Sequence, residues 1–237
     1  MTFKRPLLVL ALFLAAPLCG CGRAQFYLLQ LVGPDHYYAA AQPAAAALPP
    51  PPVPGSPEDL ADLKTLEDWQ ARRTPADCAA ANAQAEADYD KFFGDVSPFP
   101  RPMPPEARTI LFRVYYDGSK AVAAAKKKYG RQRPYLRDAA LKPCLGRVGG
   151  LSYPSGHAAE SRLLALVLGD VAPASRAVFL ASSERAALNR VIGGVHHPSD
   201  IEAGKLLGNA VYAEMLRQPA FLADLEKLRA IAGGKRP

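Results

Sequence analysis

The stretch YPSGHAAESRLLALVLG, residues 153–169, places a proline, a small hydroxyl residue, a glycine and a histidine directly before a long apolar run. The apolar run is typical of a buried helix, and the residues before it are typical of a helix N-terminus. A surface turn would explain Pro154, Ser155 and Gly156 equally well, and a lone histidine proves little. The meaning of this stretch therefore depends on what the rest of the chain supplies.

Helical patterns account for most of the remaining sequence. The chain has 237 residues, which suits one sizeable domain with a core of its own. We find no alternating strand pattern and no internal repeat, so the predicted fold is all-α, a single-domain helical bundle. The predicted helices run from Pro57 through Trp69 and over about residues 76–93, 105–129, 155–169, 173–191, 198–216 and 219–231.

The first 24 residues have the build of a secretory signal peptide. Two basic residues precede an apolar core from Leu7 to Leu18, which is too short for a stable transmembrane helix. The sequence LCGC that follows resembles a bacterial lipobox and makes Cys21 a candidate for lipidation. Cleavage after Ala24 is the alternative. Either route predicts export to the periplasm, with membrane attachment only through a lipid anchor.

Alanine and proline dominate residues 39–57. Four successive prolines remove the backbone donors that a helix or a central strand needs, so the residues alone predict a polyproline linker or an extended arm. We place an N-terminal arm at residues 25–44 and the main domain at residues 45–237.

Both processing routes leave Cys78 and Cys144 in the mature chain. A remaining pair in an oxidising compartment most often forms a disulfide, which is our prediction, and two buried thiols are the alternative. The two cysteines lack the Cys-x-x-Cys spacing of a metal site.

The net charge of +7 favours an anionic partner. The basic run Lys126–Lys128 is short and has no interleaved aromatic residues, so we do not expect nucleic acid to be that partner.

Three separate segments together predict a phosphate site. They lie at residues 126–134, 154–157 and 189–200. Arginine offers a planar fork for phosphate oxygens, and unpaired N–H groups at a helix N-terminus favour an anion. Glycine at that terminus lets the backbone approach the ligand closely. The predicted phosphate-binding residues are Lys126, Arg133, Ser155, Gly156 and Arg190.

Two histidines and an aspartate complete a phosphoryl-transfer site. His196 and Asp200 are four residues apart, so on one helix face the carboxylate would hold one imidazole nitrogen and leave the other free to attack. His157, at the start of its helix, is placed to give a proton to the leaving group.

The order and spacing of these segments resemble the signature of the type 2 phosphatidic acid phosphatase superfamily, which also contains the vanadium haloperoxidases. One position departs from it, since the serine before the family's second arginine is Asn189 here. Within the superfamily the contexts GLSYPSGHAAE, RQRPY and LPPPPVPGSPEDLADL resemble bacterial class A nonspecific acid phosphatases. The matching signature positions are Lys126, Arg133, Pro134, Pro154 to His157, Arg190, His196 and Asp200.

The resemblance implies a helical acid phosphatase of broad specificity. Its expected substrates are phosphomonoesters such as nucleotides, sugar phosphates and aryl phosphates. It implies a phosphohistidine intermediate, no metal or other cofactor, inhibition by vanadate, transfer to alcohols as a side activity, and homo-oligomers. It also implies that the proline-rich stretch packs against the helices.

Four alternatives remain open at this point. Vanadium haloperoxidases use nearly the same pocket, and a tethered hydrolase could act on lipid headgroups. A non-catalytic lipoprotein could capture phosphate with the same cations, although it would not need two histidines and an aspartate. A zinc hydrolase would use His157, His196, His197 and Asp200 as ligands. We expect the side chains of the adjacent histidines to diverge, which would make it difficult for both to bind one ion.

Overall fold

The computed structural model of this chain describes residues 33–46 and 48–233. The predicted all-α class is confirmed, because these residues form helices and no strand. The predicted signal peptide and Cys21 lie outside the described residues. The helices are α1 (Ala41–Ala46), α2 (Pro57–Arg72), α3 (Pro75–Ala83), α4 (Tyr89–Phe93), α5 (Pro105–Tyr129), α6 (Pro134–Arg137), α7 (Gly156–Val171), α8 (Arg176–Ile192), α9 (Pro198–Met215) and α10 (Pro219–Gly233).

Helix α7 forms the centre of the fold. Its residues from Ala158 to Gly169 are almost all buried, as expected for a helix that is surrounded by others. Helices α8 and α9 pack along it most extensively, and α5 also contacts it. None of the described helices is both long and apolar enough to cross a membrane.

Two glycines allow α9 to approach α7 closely. A Cβ atom at Gly204 would lie 2.6 Å from the main-chain oxygen of Ser155, and one at Gly208 would lie 2.6 Å from that of Ala159. Any larger side chain would therefore push the two backbones apart. This contact fixes the start of α9 against the start of α7.

The helix predicted over residues 76–93 is interrupted in the structure. It forms α3 and α4, separated by residues 84–88. Asp88 caps the second helix by accepting from the N–H groups of Asp90 and Lys91. Residues 84 and 85 instead turn their carbonyl groups toward His157, a tertiary contact that helical periodicity does not reveal.

Part of the predicted N-terminal arm packs against α5. The compact unit begins at Asp35, inside the predicted arm. The buried carboxylate of Asp117 on α5 accepts hydrogen bonds from the N–H groups of Tyr37, Tyr38 and Ala39, at 2.7–2.9 Å. These bonds satisfy three consecutive backbone donors, which explains why the segment lies on the core.

The proline-rich stretch packs against the helices, as the resemblance implied. The Leu48 carbonyl accepts from the Tyr129 hydroxyl at 2.5 Å, and the Pro49 carbonyl accepts from the Tyr153 hydroxyl at 2.6 Å. Prolines that cannot donate are therefore held through their carbonyl groups.

A disulfide joins Cys78 on α3 to Cys144, with a Cα–Cα distance of 5.9 Å. The loop that carries Cys144 also contacts the turn after α8, where the Leu145 N–H donates to the Gly193 carbonyl at 3.4 Å. The disulfide thus ties α3 to the loop beside the candidate site.

Replacing both cysteines by serine should lower the free energy of unfolding. The disulfide closes a loop with a sequence separation of 66 residues, for which the chain-entropy model gives on the order of 4 kcal/mol. Urea unfolding of the wild-type protein and of the double variant measures the difference. Reduction of the wild-type protein should give the same loss, and a difference below about 1 kcal/mol would contradict the prediction.

Candidate active site

The site forms at the N-terminus of α7. Ser155 is fully buried and caps this helix, since its hydroxyl accepts from the Ala158 N–H at 3.4 Å. The Ser155 N–H donates to the main-chain oxygen of Asp200 at 2.8 Å, which links the starts of α7 and α9. Gly156 follows at the first helical position, where the helix dipole and unpaired N–H groups favour an anion.

The three predicted cations meet beside this terminus. Lys126 donates to the Leu151 carbonyl from the end of α5. Burial lowers the pKa of Lys126 to about 7, and the charges of Arg133 and Arg190 act in the same direction. Mutual lowering of this kind requires that the three positive charges lie close together.

Main-chain oxygens hold Arg133 in place. Its guanidinium donates to the carbonyl groups of Gly149, Gly150 and Val195 at 2.9–3.2 Å. Burial lowers its pKa. Arg133 is thus positioned without a carboxylate that would neutralise its charge.

Arg190 has buried donors without an acceptor. Its Nε and Nη1 atoms have no hydrogen-bond partner among the described residues. Burial, followed by the charge of Arg133, lowers its pKa to about 10. Since an unpaired buried guanidinium is costly, these donors are suited to an anion that enters the site.

The hydrogen bonds of His196 define its tautomer. Nε2 lies 2.6 Å from Nη1 of Arg133, and Nδ1 lies 3.3 Å from Oδ2 of Asp200. Because arginine only donates, Nε2 carries the lone pair and Nδ1 carries the proton. Burial holds the pKa of His196 well below its ordinary value, so the imidazole is neutral and its Nε2 is available as a nucleophile.

The contact between His196 and Asp200 does not arise from a shared helix face, as the spacing suggested. Helix α9 begins at Pro198, so His196 precedes it. Asp200 is the third residue of the helix and folds back as a cap, accepting from the His197 N–H at 2.8 Å. The carboxylate thereby reaches both preceding histidines.

In His157 the proton lies on Nε2, whereas in His196 it lies on Nδ1. Its Nε2 lies 3.1 Å from the carbonyl oxygens of Gln84 and Ala85, which can only accept. Burial, and then the charge of Arg190, lower the pKa of His157 to about 3. Asn189, which stands where the family has serine, donates to the Gln84 side chain at 2.7 Å and braces the same segment.

Both oxygens of Asp200 are used in a buried network that the sequence analysis did not identify. Oδ1 accepts from Arg131 at 2.8 Å, and Oδ2 accepts from the Ser152 hydroxyl at 2.5 Å. Arg131 also pairs with Asp59 at 3.1 Å and Asp62 at 2.9 Å on α2. Burial alone would raise the pKa of Asp200, but its hydrogen bonds with His196 and His197 hold it well below the usual range.

The signals for these residues in the sequence were weak. Asp59 and Asp62 are three apart at the start of α2, a position where acids usually interact with the helix dipole in water. Arg131 is the first residue of the RQRPY context, but we assigned no role to it. Glu160, a buried carboxyl one turn after Gly156, was also missed.

The two adjacent histidines do not diverge as expected. The Nδ1 atoms of His196 and His197 lie 3.3 Å and 3.0 Å from the same Asp200 oxygen. Within the part of the chain that the structure describes, no group of three or more His, Cys, Asp or Glu side chains is arranged to hold a metal ion.

Sequence comparisons relate this arrangement to known enzymes. Residues 110–223 match the PAP2 superfamily. A non-specific acid phosphatase of Providencia stuartii is 32% identical over 178 residues, covering 70% of this chain and 68% of the relative. A non-specific acid phosphatase of Salmonella typhi is 38% identical over 118 residues, covering 47% of this chain and 46% of the relative. The chain thus spans about half the length of the Salmonella protein that it matches.

Two solved structures share the fold. A bacterial vanadium-dependent iodoperoxidase superposes with a TM-score of 0.59 at 20% identity, covering 74% of this chain and 53% of that chain. A transmembrane PAP2-type phosphatidylglycerolphosphate phosphatase from Bacillus subtilis gives a TM-score of 0.52 at 16% identity, covering 82% of this chain and 94% of that chain. At these identities the likeness concerns the fold alone.

The substitution Arg131→Gln should destabilise the protein in a pH-dependent way. It removes the arginine that pairs with the buried carboxylates of Asp62 and Asp200, whereas Asp59 keeps its partner Arg137 at 2.6 Å. Removing one member of a buried ion pair typically costs about 3–5 kcal/mol. A carboxylate with a depressed pKa, such as Asp200, stabilises the fold above its unfolded pKa of about 4, and this contribution is lost as the pH falls. The variant's deficit should therefore be largest near neutral pH and shrink in acid.

Urea unfolding at two pH values measures this deficit. Arg217→Gln is the matched control, because Arg217 forms an exposed pair with Glu214 at 3.0 Å and should contribute less than about 1 kcal/mol. A deficit for Arg131→Gln that is small, or equal at both pH values, would contradict the role given to this network.

Proposed function

This chain belongs to the PAP2 superfamily, and we propose that it is an acid phosphatase that hydrolyses phosphate monoesters through a phosphohistidine at His196. The observation that carries the proposal is the lone pair of His196 Nε2, which is directed at Arg133 2.6 Å away in a pocket that also contains the unpaired donors of Arg190. The lone pair becomes available for attack when Arg133 donates to the phosphoryl oxygens instead. A neutral nucleophile next to uncompensated cations suits attack on a dianionic phosphoryl group.

Binding of the phosphoryl group relies on cations that form no salt bridge with a carboxylate among the described residues. Lys126, Arg133 and Arg190 surround its oxygens, and the N–H groups at the start of α7 supply further donors. Charge in phosphoryl transfer develops on these oxygens, so the same groups stabilise the transition state without a metal ion.

The first step transfers the phosphoryl group to the protein. The Nε2 lone pair of His196 forms a bond to phosphorus while the ester P–O bond breaks, and the electron pair of that bond leaves with the oxygen. Asp200 stabilises the positive charge on the imidazole through Nδ1, 3.3 Å away. His157 gives the leaving oxygen its proton.

The second step returns the site to its starting state. Water attacks the phosphorus of the phosphohistidine, His157 takes a proton from that water, and the N–P electron pair returns to His196. Inorganic phosphate is then released. An alcohol in place of water would give phosphotransferase activity by the same route.

The low pKa of His157, about 3, is a property of the site without an anion. The charges of Arg190 and Arg133 contribute to it, and a bound phosphate dianion opposes both. Burial is the largest cause of the low pKa, so the anion opposes only the part of the shift that the two arginines cause; in that direction substrate binding favours the protonated form of His157. Since two carbonyl groups hold Nε2, the transferable proton lies on Nδ1.

The wider properties of the enzyme follow from its relatives and its sequence. The relatives' name, non-specific acid phosphatase, supports a broad range of substrates. The resemblance in sequence to class A enzymes supports nucleotides, sugar phosphates and aryl phosphates among them. The predicted signal peptide supports export to the periplasm, with Cys21 as a lipid anchor in the alternative route. The resemblance to class A enzymes supports homo-oligomers.

The substitution His196→Ala should abolish turnover of p-nitrophenyl phosphate, because it removes the nucleophile. The wild-type protein should turn over in mildly acid buffer with excess chelator, and vanadate should inhibit competitively, since it adopts the five-coordinate geometry of the transferring group. His36→Ala is the matched control, because His36 is exposed and lies outside the site.

The contrary outcomes identify the other candidate functions. Activity that chelators abolish would indicate a metal-dependent hydrolase. Tight phosphate binding without any turnover would indicate a binding protein. Oxidation of halide by the vanadate-loaded protein without phosphatase activity would indicate a peroxidase.

The substitution His157→Ala should affect substrates unequally. Loss of the proton donor matters most when the leaving oxygen is basic, as in an alkyl phosphate, and least for p-nitrophenol. The expected result is a fall of about 10²–10⁴-fold for alkyl phosphates and a smaller fall in the first step for p-nitrophenyl phosphate.

Rapid-quench labelling locates the phosphoryl group in this variant. Phosphohistidine should accumulate at His196, because the base for the second step is missing. Label on the peptide that carries His157, or equal losses for good and poor leaving groups, would contradict the assigned roles.

A further inference from the structure

We propose that Glu160 is a positioning residue that sets the net charge of the phosphate pocket, so that the pocket holds its anion in acid and releases it in mildly alkaline solution. The inference rests on the proposed phosphate-binding function of the pocket. It concerns a residue outside the signature motifs, and it acts through Lys126 and Arg190 rather than on the substrate itself.

The location of Glu160 carries the inference. It lies one helical turn after Gly156, on the same face of α7, and only 5% of its surface is exposed. A Cβ atom at Gly156 would lie 3.7 Å from Oε1 of Glu160. The carboxyl group is therefore next to the N-terminal turn that receives the anion, and it is shielded from water.

Charged and polar groups from two neighbouring helices face this carboxyl. Tyr115 and Lys126 come from α5, where Tyr115 donates a hydrogen bond to Glu160, and Arg190 comes from α8. Lys126 in turn interacts with Arg133 from the loop after α5 and with Asp200 from the start of α9. Glu160 thus supplies a negative charge within range of the cations that bind phosphate.

Burial brings the pKa values of Glu160 and Lys126 into one range, between about 7 and about 8. Burial raises the pKa of Glu160 to about 8, although Lys126 opposes the shift. Burial lowers the pKa of Lys126 to about 7. Below this range Lys126 is charged and Glu160 is neutral, and above it Lys126 is neutral and Glu160 is charged.

The pocket consequently loses positive charge as the pH rises. Counting Lys126, Arg133, Arg190 and Glu160, its net charge falls by two units across this range. The pKa of Arg190, about 10, lies above the range, and those of His157 and His196 are lowered to below it. Anion affinity should fall accordingly.

A role limited to packing would not require an ionisable group. The amide of glutamine can also accept the Tyr115 hydrogen bond, and it has nearly the same volume. Glu160→Gln therefore keeps the contact and removes the charge, which separates the electrostatic role from a structural one.

Sulfate is a suitable probe, because it stays a dianion throughout the range and leaves the protein as the source of any pH dependence. Calorimetric titration at pH values below and above the two pKa values should show equal affinities for the wild-type and Glu160→Gln proteins in acid. In alkaline buffer the variant should bind about tenfold more tightly than the wild type. The ratio of their kcat/KM values should change with pH in the same direction.

Asp224→Asn is the matched control, since Asp224 is a buried carboxyl that pairs with Tyr38 and Lys227 away from the pocket. The ratio of its sulfate affinity to that of the wild type should not change with pH. If Glu160→Gln does not fold, Glu160→Met provides a second test, because methionine removes the same charge and its unbranched side chain adapts well to buried positions.

Two results would overturn the proposal. One is a ratio of variant to wild-type affinity that is the same at both pH values, and the other is no sulfate binding by the wild type in acid. Sulfate binding with the expected pH dependence, but without phosphatase turnover, would support the role of Glu160 and refute only the proposed catalytic function.

Discussion

The Asp200 carboxylate is the point on which the site depends. Arg131 binds one of its oxygens, while Ser152 and the two histidines share the other. Its main-chain oxygen accepts from Ser155 at the start of α7. One residue therefore joins the loop after α5 to the starts of α7 and α9, and through Arg131 it reaches α2. The orientation of His196 follows from this position rather than from helix geometry.

Buried charge is distributed unevenly around that carboxylate. On one side Arg131 is paired with Asp59, Asp62 and Asp200, so the charges compensate and hold the elements together. On the other side the phosphate-binding cations lack equivalent partners among the described residues, and Arg190 leaves two donors unbonded. The paired side holds the elements of the fold together, and the unpaired side leaves donors that are suited to an anion.

Much of this architecture could be predicted from the sequence. Helical periodicity gave the class and most helix boundaries, and the spacing of three motifs brought together Lys126, Arg133, Arg190 and His196. The errors have a common physical cause. The break at residues 84–88, the network of Arg131 and the placement of Glu160 depend on tertiary contacts between distant segments. Local patterns cannot encode them, because an acid at a helix start looks the same whether it is solvated or buried.

The hydrogen bonds that Arg133 and His157 donate to main-chain carbonyl groups have an evolutionary consequence. Carbonyl oxygens of residues 84 and 85 hold His157, and those of residues 149, 150 and 195 hold Arg133, which also contacts Nε2 of His196. A carbonyl group persists whatever side chain its residue carries. Substitution at residue 85 would keep both carbonyl contacts to His157, whereas substitution of Gln84 would lose the side-chain contact with Asn189. A scaffold of this kind would let residue 85 vary among descendants without moving the histidine.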